Sequence, residues 1–409
     1  MTPITTAITT ATSTPGRAIL LALAIGLLPP AAGAFETRAR EALVLDNTTG
    51  MVMFEKQADT PVPPASMSKL MTLYLLFEAL RDGRVAMDTE FPVTPHAQSM
   101  EGSRMFVEAG TSVRVEDLIH GIIVQSGNDA CVVVAEGLAG SEPTFAGQMT
   151  SRAHELGMTQ SAFANASGLP APGHHMSARD LVTLARHLIA DFPEYYPFFS
   201  ETEYTWNGIK QHNRNPLLEL GLGVDGLKTG HTAEAGYGLV GSAEQNGQRV
   251  VFMVGGLASE KERAAETQAV VKWAFGAFDP VSFFARGETV ATADVWLGAA
   301  KTVPLVAPAD IRMLVPHEDR SGLKARVLYR GPIEAPIAAG QKLAVLEVTV
   351  PGHADVSFDL VAGADVPRGG LFTRIGAAVE LSRDQALSYL PGRGTPAEPA
   401  PEAAGTVTQ

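Results

Sequence analysis

The sequence contains a single cysteine, Cys131, and has fewer basic than acidic residues. One cysteine excludes an intrachain disulfide, so a hydrophobic core must stabilise the fold. Cys131 lies in the apolar run CVVVAEGLAG, which predicts a small buried hydrophobic side chain rather than a nucleophile. The formal net charge of −13 argues against a nucleic-acid-binding protein, which would need a basic surface.

Residues 1–34 differ from the rest of the chain because they contain no acidic residue. They combine Arg17 with an apolar run and the small-residue ending Ala32-Gly33-Ala34, a pattern typical of a signal peptide cleaved near Phe35. A membrane-spanning anchor would need about 20 apolar residues, and two prolines end this run early. We therefore predict export, with the periplasm as the destination.

The sequence pattern of residues 35–278 predicts an α+β domain. In this domain, helices flank a mostly antiparallel sheet and also form a helical lobe. One hairpin turns at Asn47–Gly50, and a second turns at Asn246-Gly247. Apolar residues at helical spacing predict a helix from Leu70 to the Asp82-Gly83 pair and a closing helix over TQAVVKWAFGAF.

Residues 279–370 read differently, as short alternating segments separated by Gly, Pro and Asp. This pattern predicts a separate small all-β domain, a β-sandwich. Residues 371–409 predict a short helix followed by a disordered tail that is rich in Pro, Ala and Gly.

Three short motifs occur in order along the predicted α+β domain. S-x-x-K (Ser66 to Lys69) begins an apolar helix. S-x-N (Ser126 to Asn128) forms a predicted turn between two helical segments, and K-T-G (Lys228 to Gly230) lies on a predicted strand. Each motif alone is a weak signal, but the ordered trio in these structural contexts is strong evidence for a serine-nucleophile site.

The residue types of the motifs fit nucleophilic catalysis. A serine hydroxyl needs a base, and Lys69, one helical turn after Ser66, can serve if burial and a nearby cation lower its pKa. Lys228 is the predicted second cation. Ser126 can relay protons to a leaving amine, and Asn128 can bind a substrate amide and orient Lys69.

Substrate binding is predicted along the K-T-G strand. The backbone N–H groups of Ser66 and His231 are candidates for stabilising an oxyanion. Gly230 lacks a side chain, so a peptide could lie against this strand as an added β-strand. Thr229 and Lys228 are predicted to bind the terminal carboxylate of that peptide.

The segments PPASMSKLMT, QSGNDA and VDGLKTGHT resemble the low-molecular-mass penicillin-binding proteins, the serine-type D-alanyl-D-alanine carboxypeptidases of peptidase family S11. The resemblance spans about residues 40–370. It implies a β-lactamase/transpeptidase-like catalytic domain that removes the terminal D-Ala from peptidoglycan stem pentapeptides through an acyl-enzyme on Ser66. It also implies acylation of Ser66 by penicillins, a role in cell-wall biogenesis and cell shape, and a carboxylate-side contact from Arg263, for which a solvated helix charge is the alternative.

Three other functions compete with the carboxypeptidase. A serine β-lactamase is disfavoured because residues 155–180 contain no E-x-x-L-N-like segment, and because Gly127 replaces the usual Asp. An endopeptidase that cuts D-Ala cross-links stays open. A non-catalytic wall-binding protein is disfavoured because the serine, lysine and asparagine positions of all three motifs are intact.

We expect neither a cofactor nor a metal, since His174 and His175 have no further ligands at metal-site spacing. The expected partners are stem peptides and β-lactams, not nucleic acid, and the expected state is a monomer. Relatives commonly end in an amphipathic membrane-binding helix. Here Arg374 and Arg383 are balanced by Glu380 and Asp384, which argues for weak peripheral contact with the inner membrane at most.

Overall fold

The computed structural model describes residues 35–370 and 405–406. The α-helices of this part are α1 Lys69–Arg81, α2 Pro95–Ser99, α3 Val115–Ile123, α4 Asn128–Ala139, α5 Glu142–Glu155, α6 Ala178–Asp191 and α7 Glu260–Gly276. Short 3₁₀ helices span Ala65–Ser68, Tyr196–Ser200 and His317–Gly322.

The strands divide between two regions of the chain. The first region contains β1 Glu41–Asp46, β2 Val52–Lys56, β3 Glu90–Pro92, β4 Ser112–Arg114, β5 Glu203–Trp206, β6 Ile209–His212, β7 Val224–Thr232, β8 Gly236–Gln245 and β9 Gln248–Leu257. The second contains β10 Phe278–Phe284, β11 Thr289–Trp296, β12 Thr302–Val306, β13 Ile311–Pro316, β14 Lys324–Tyr329, β15 Ile333–Glu334, β16 Lys342–Thr349, β17 Val356–Ala362 and β18 Gly405–Thr406.

The first region is organised around a five-stranded antiparallel sheet in the order β2-β1-β9-β8-β7. Both predicted hairpins are present, since β1 pairs with β2 and β8 pairs with β9 across Asn246-Gly247. The strand β7, which carries K-T-G, lies at the edge of this sheet. An edge strand leaves one row of backbone hydrogen-bonding groups unpaired, so β7 is free to bind an extended peptide.

Helices between the two halves of the sheet form the predicted helical lobe. Serine side chains cap two of them, because Ser141 and Ser177 each accept a hydrogen bond from the backbone N–H three residues later, and Ser259 caps α7, after the sheet, in the same way. The helix α1 lies in the middle of the core, with Tyr74 and Phe77 almost completely buried. This central position makes the start of α1 a rigid place for chemistry.

The second region is all-β, as predicted, and contains a seven-stranded sheet in the order β15-β11-β12-β17-β16-β14-β18. Strands β10 and β13, which the alternating pattern did not single out, pair separately from that sheet. The α+β prediction is confirmed. The residue numbers of the domain boundaries stay predictions.

Two helix limits differ from expectation. Asn128 is the first residue of α4 and not part of the turn before it. The helix α7 begins at Glu260, well before the predicted closing helix, because Ser259 caps a polar first turn that contributes no apolar pattern. The predicted helix after residue 370 lies outside the described residues. Within residues 35–370 and 405–406, no helix has the length and apolar character needed to cross a membrane.

Candidate active site

Ser66 and Lys69 lie at the junction between the first 3₁₀ helix and α1. Ser66 is partly exposed, whereas the Lys69 side chain is completely buried. Lys69 Nζ lies 2.8 Å from Ser66 Oγ, 2.7 Å from Asn128 Oδ1 and 2.5 Å from the carbonyl oxygen of Ser167. The predicted nucleophile and base are therefore in hydrogen-bond contact, and a second motif residue orients the base.

The Ser167 carbonyl was not predicted, and a local turn positions it. The Asn165 side-chain oxygen accepts hydrogen bonds from the backbone N–H groups of Ser167 and Gly168. Gly168 has a φ of +82°, and a Cβ there would lie 2.0 Å from the carbonyl oxygen of Ala65. Only glycine therefore allows this loop to pack directly against the residue before the nucleophile.

The environment of Lys69 shifts its amine toward the neutral form. Burial lowers the pKa of Lys69 to about 8, and the Arg214 guanidinium contributes in the same direction. A neutral amine has two N–H donors and one lone pair. The two donors match Asn128 Oδ1 and the Ser167 carbonyl, so the lone pair can face the Ser66 hydroxyl. This is the arrangement that a general base requires.

Lys228 is the second buried amine of the site. Its Nζ donates to Ser126 Oγ at 3.0 Å and to the Thr229 carbonyl at 3.1 Å. Burial lowers the pKa of Lys228 well below its usual value, and the charges of Lys69 and Arg214 lower it further. The sequence pointed to Lys228 as the cation that tunes Lys69, and the Arg214 guanidinium is a further cation that lowers the pKa of Lys69. Lys228 also contacts the hydroxyl of the S-x-N motif.

Asn128 and Asp129 hold the loop 101–107 against the site. Asn128 Nδ2 donates to the Glu101 carbonyl, and the Asn128 backbone N–H donates to the Ser103 carbonyl. The buried Asp129 carboxylate accepts three backbone N–H bonds from residues 105–107, at 2.8, 2.7 and 3.2 Å. Sequence reasoning missed Asp129, although it directly follows the S-x-N motif.

Replacing Asp129 with alanine is expected to lower the free energy of unfolding by about 2–4 kcal/mol, because three loop N–H groups lose their acceptor. Urea denaturation would measure the change. Asp129→Asn retains one acceptor oxygen and should be less destabilising. Equal stability of wild type and Asp129→Ala would show that this carboxylate does not anchor the loop.

Gly230 also has a packing role that the sequence did not predict. A Cβ at Gly230 would lie 3.0 Å from Met67 Cγ, 3.0 Å from the Pro64 carbonyl oxygen and 3.2 Å from Ala65 Cβ. The segment that carries the nucleophile therefore fills the space that a side chain would take. The absent side chain lets β7 approach Ser66 closely.

A cleft of about 320 Å³ brings the motifs together. Its lining includes the predicted residues Ser66, Ser126, Thr229, Gly230, His231 and Arg263. Sequence reasoning did not single out Ser103, Arg214, Tyr237 or Glu260, which also line it. Arg214 donates to Ser103 Oγ, so the loop 101–107 positions this guanidinium. No sequence signal marks Arg214, because its place in the cleft depends on tertiary packing.

Arg263 is not a solvated helix charge. Its side chain is only 4% exposed, and its guanidinium lies 5.8 Å from the Tyr237 ring centroid. The Tyr237 ring in turn stacks on His231, with centroids 3.8 Å apart. Arg263 also donates to Glu260, but its Nε is buried without a hydrogen-bond partner among the described residues. Arg214 and Arg263 therefore make the cleft suitable for an anionic ligand group.

The remaining candidates lie away from this chemistry. Cys131 is completely buried, and burial raises the pKa of its thiol to about 12, which does not suit a nucleophile. Ser68 is buried and donates to the Ala65 carbonyl at 3.2 Å. Within the described ranges, no group of three or more His, Cys, Asp and Glu side chains is placed to hold a metal ion.

Comparison with known proteins identifies two matching families. Residues 29–258 match the family model described as D-alanyl-D-alanine carboxypeptidase. Residues 278–368 match the model described as the C-terminal domain of penicillin-binding protein 5.

Individual relatives agree with the family matches. The chain is 36% identical to D-alanyl-D-alanine carboxypeptidase DacD of Salmonella typhimurium, over 81% of this chain and 87% of the relative. The crystal structure of penicillin-binding protein 5 from Haemophilus influenzae has a TM-score of 0.75 and 33% identity, over 83% of this chain and 100% of that one. Penicillin-binding protein D2 from Listeria monocytogenes in its ampicillin-bound form has a TM-score of 0.55 and 31% identity, over 59% of this chain and 100% of that one.

Proposed function

Because this chain belongs to the D-alanyl-D-alanine carboxypeptidase family of serine peptidases, family S11, we propose that Ser66 is its nucleophile and Lys69 its general base. The observation that carries this assignment is the contact between Ser66 Oγ and the completely buried Lys69 amine, which donates its other hydrogen bonds to Asn128 Oδ1 and the Ser167 carbonyl. The reaction of the family is hydrolysis of a peptide that ends in D-alanyl-D-alanine, with release of the terminal D-alanine. This agrees with the function predicted from the three motifs.

Acylation begins when Lys69 Nζ takes the proton of the Ser66 hydroxyl. Ser66 Oγ then attacks the carbonyl carbon of the penultimate D-alanine, and the resulting tetrahedral intermediate carries an oxyanion. The nitrogen of the leaving D-alanine must gain a proton as the C–N bond breaks. Ser126, which is hydrogen-bonded to Lys228, is placed to relay that proton from the lysine cluster.

The oxyanion and the terminal carboxylate need separate partners. We assign the oxyanion to the backbone N–H groups of Ser66 and His231, as the sequence predicted. The carboxylate is assigned to Lys228 and Thr229 together with the two guanidiniums that line the cleft, those of Arg214 and Arg263. Asn128 completes the site by binding the substrate amide through its side chain while it orients Lys69.

Deacylation hydrolyses the ester that Ser66 forms with the shortened peptide. A water molecule attacks the ester carbonyl, Lys69 accepts a proton from that water, and Ser66 leaves with a proton. β-Lactams would acylate Ser66 in the same way, because their strained amide presents a carbonyl carbon and a carboxylate to the same groups. The ampicillin-bound relative supports this assignment.

The cellular setting follows from the first 34 residues of the sequence. We assign the protein to the periplasm, exported by its signal peptide, where peptidoglycan stem pentapeptides are available. It acts as a monomer, and any contact with the inner membrane is weak and peripheral. Size-exclusion chromatography with light scattering and a vesicle-sedimentation assay would test these two statements.

Release of D-alanine tests the proposed function. The protein lacking residues 1–34 is incubated with a stem pentapeptide ending in D-alanyl-D-alanine, and free D-alanine is measured while penicillin turnover is followed in parallel. We expect one D-alanine to be released from each pentapeptide that is cleaved, and we expect a long-lived penicilloyl-protein. Rapid penicillin turnover without D-alanine release would instead identify a β-lactamase.

A further inference from the structure

The β7–β8 hairpin has few cross-strand side-chain contacts near the nucleophile. The last three residue pairs before its turn are Gly230 with Gly238, His231 with Tyr237, and Thr232 with Gly236. A glycine offers no side chain to the residue opposite it, and cross-strand side-chain contacts stabilise a sheet. Only the middle pair can therefore join the two strands through side chains at this end of the hairpin.

The two facing glycines are required because the segment that carries Ser66 packs against them. A Cβ at Gly230 would lie 3.0 Å from Met67 Cγ, and a Cβ at Gly238 would lie 2.8 Å from Met67 Cε. Side chains at these two positions would push Met67 away and displace the neighbouring Ser66. The close approach of the sheet to the nucleophile thus removes one cross-strand contact, and the next pair has to hold the strands together.

That next pair, His231 and Tyr237, makes a close aromatic stack. The ring centroids are 3.8 Å apart, and the ring planes are inclined by 25°. Stacked aromatic side chains attract each other by more than the area they bury. The Tyr237 hydroxyl makes no hydrogen bond within the described residues, so the ring alone forms this contact. The stack therefore restrains the backbone of His231, including the N–H assigned to the oxyanion.

A second contact of the Tyr237 ring restrains Arg263. The Arg263 guanidinium carbon lies 5.8 Å from the ring centroid, within the range of a cation–π interaction. The other contacts of this guanidinium are weak, because Glu260, at 3.0 Å, has a side chain that is 72% exposed, and the Arg214 carbonyl is 3.4 Å away. Arg263 Nε has no hydrogen-bond partner among the described residues. The aromatic ring is therefore a main restraint on the direction of this buried guanidinium.

We propose that Tyr237 is a positioning residue that joins two parts of the site through its ring. It holds the backbone N–H of His231 for the oxyanion on the scissile carbonyl, and it holds the Arg263 guanidinium for the carboxylate of the leaving D-alanine. These two groups of the substrate are only a few bonds apart, so both partners must be held in register for one peptide. This inference rests on the proposed function, because it takes the scissile bond and the terminal carboxylate from it.

Two peptides that differ only at the C-terminus test the part of the proposal that concerns Arg263. One stem pentapeptide ends in D-alanyl-D-alanine, and the other ends in D-alanyl-D-alaninamide, which has no terminal carboxylate. The ratio of their kcat/KM values measures recognition of the carboxylate, and it does not depend on how much of the protein is folded. We expect Tyr237→Leu to lower this ratio by roughly two- to thirtyfold, the range of one cation–π interaction.

The amide peptide tests the part that concerns His231, because its cleavage depends on the oxyanion contact but not on a carboxylate. Its kcat, expressed per Ser66 titrated with penicillin, should fall roughly two- to fivefold in Tyr237→Leu, the range of a cross-strand aromatic pair. Tyr237→Phe restores the ring and should recover most of both losses. Tyr329→Leu, which replaces a partly exposed tyrosine on β14 outside the cleft, is the matched control and should leave both values unchanged.

The His231 ring gives an independent route to the same stack. His231→Ala removes an exposed ring but keeps the backbone N–H, so it should fold even if Tyr237→Leu does not. It should lower the carboxylate ratio in the otherwise wild-type protein. In Tyr237→Leu it should have little further effect, because the stack is then already lost.

An unchanged ratio, or an unchanged kcat for the amide peptide, in Tyr237→Leu would overturn the role of Tyr237 while the proposed function stands. If that variant does not fold, an unchanged ratio in His231→Ala has the same meaning. Equal losses in Tyr237→Phe and Tyr237→Leu, or additive effects of His231→Ala and Tyr237→Leu, would overturn the role as well. Failure of the wild-type protein to release D-alanine from the acid peptide would overturn the proposed function, and this inference with it.

Discussion

Replacing Ser66 with alanine is expected to lower the rate of D-alanine release by at least about 10⁴-fold, because it removes the hydroxyl that contacts Lys69 and forms the acyl-enzyme. The same variant should lose covalent labelling by penicillin. Ser66 is partly exposed in the 3₁₀ helix before α1, so its replacement removes an oxygen without opening a cavity in the core. The loss should therefore appear in folded protein, as measured by circular dichroism and by D-alanine release in one preparation.

Ser68 provides the matched control for this prediction. It is two residues away in the same 3₁₀ helix, but its hydroxyl donates to the Ala65 carbonyl and makes no contact with Lys69 among the hydrogen bonds of the described residues. Ser68→Ala should cost about 1 kcal/mol of stability and change the rate far less than Ser66→Ala. A comparable loss of activity in both variants would contradict the assignment of the nucleophile.

The second large effect is expected at Lys69. Lys69→Met keeps a side chain of similar length in the buried position but removes the amine that accepts the Ser66 proton. General-base catalysis contributes about 10²–10⁴-fold, so acylation by both peptide and penicillin should slow by that factor. Stopped-flow measurement of penicillin acylation isolates this step from deacylation. Lys272→Met, which replaces an exposed lysine of α7, should acylate at the wild-type rate.

The pH dependence of the reaction provides an independent check on Lys69. Only the neutral amine can accept a proton, and burial lowers the pKa of Lys69 to about 8. Hence kcat/KM should rise as the pH increases through about 8, with roughly one protein in ten carrying the active form at pH 7. This rising limb should be absent from the residual activity of Lys69→Met. A rate that falls through the same pH range would contradict the role of Lys69 as the base.

The catalytic residues could be predicted from the sequence because each lies in a short motif with its own local structure. S-x-x-K begins a helix, so Ser66 and Lys69 share one face whatever the rest of the fold does. K-T-G was likewise expected on a strand, and it lies on β7. The contact between Lys69 and Asn128 follows once the two helices pack together.

The groups that tune the site could not be predicted in this way, because tertiary packing alone brings them together. Arg214 lines the cleft but lies in a segment with no motif. Lys69 donates one of its hydrogen bonds to the backbone carbonyl of Ser167, and no side-chain pattern in the sequence reveals such an acceptor. The packing role of Gly230 could not be predicted either, because its steric neighbour, the turn at Met67, is distant in sequence.

Some of the missed structure did have a local signal. The early start of α7 is marked by Ser259 three residues before Glu262, whose backbone N–H the serine caps. Apolar periodicity overlooks such a start because the first turn of the helix is polar. Asp129 was similarly adjacent to a recognised motif. Its importance became clear only when the loop 101–107 was seen to bond to its carboxylate.

The claim that Ser66 is the nucleophile is tested most directly by locating the covalent bond. The protein is incubated with penicillin, digested, and its peptides are sequenced by mass spectrometry. We expect one penicilloyl group per protein, attached to Ser66 and absent from Ser66→Ala. A penicilloyl group on Ser126 or any other residue, or none on the folded wild-type protein, would contradict it.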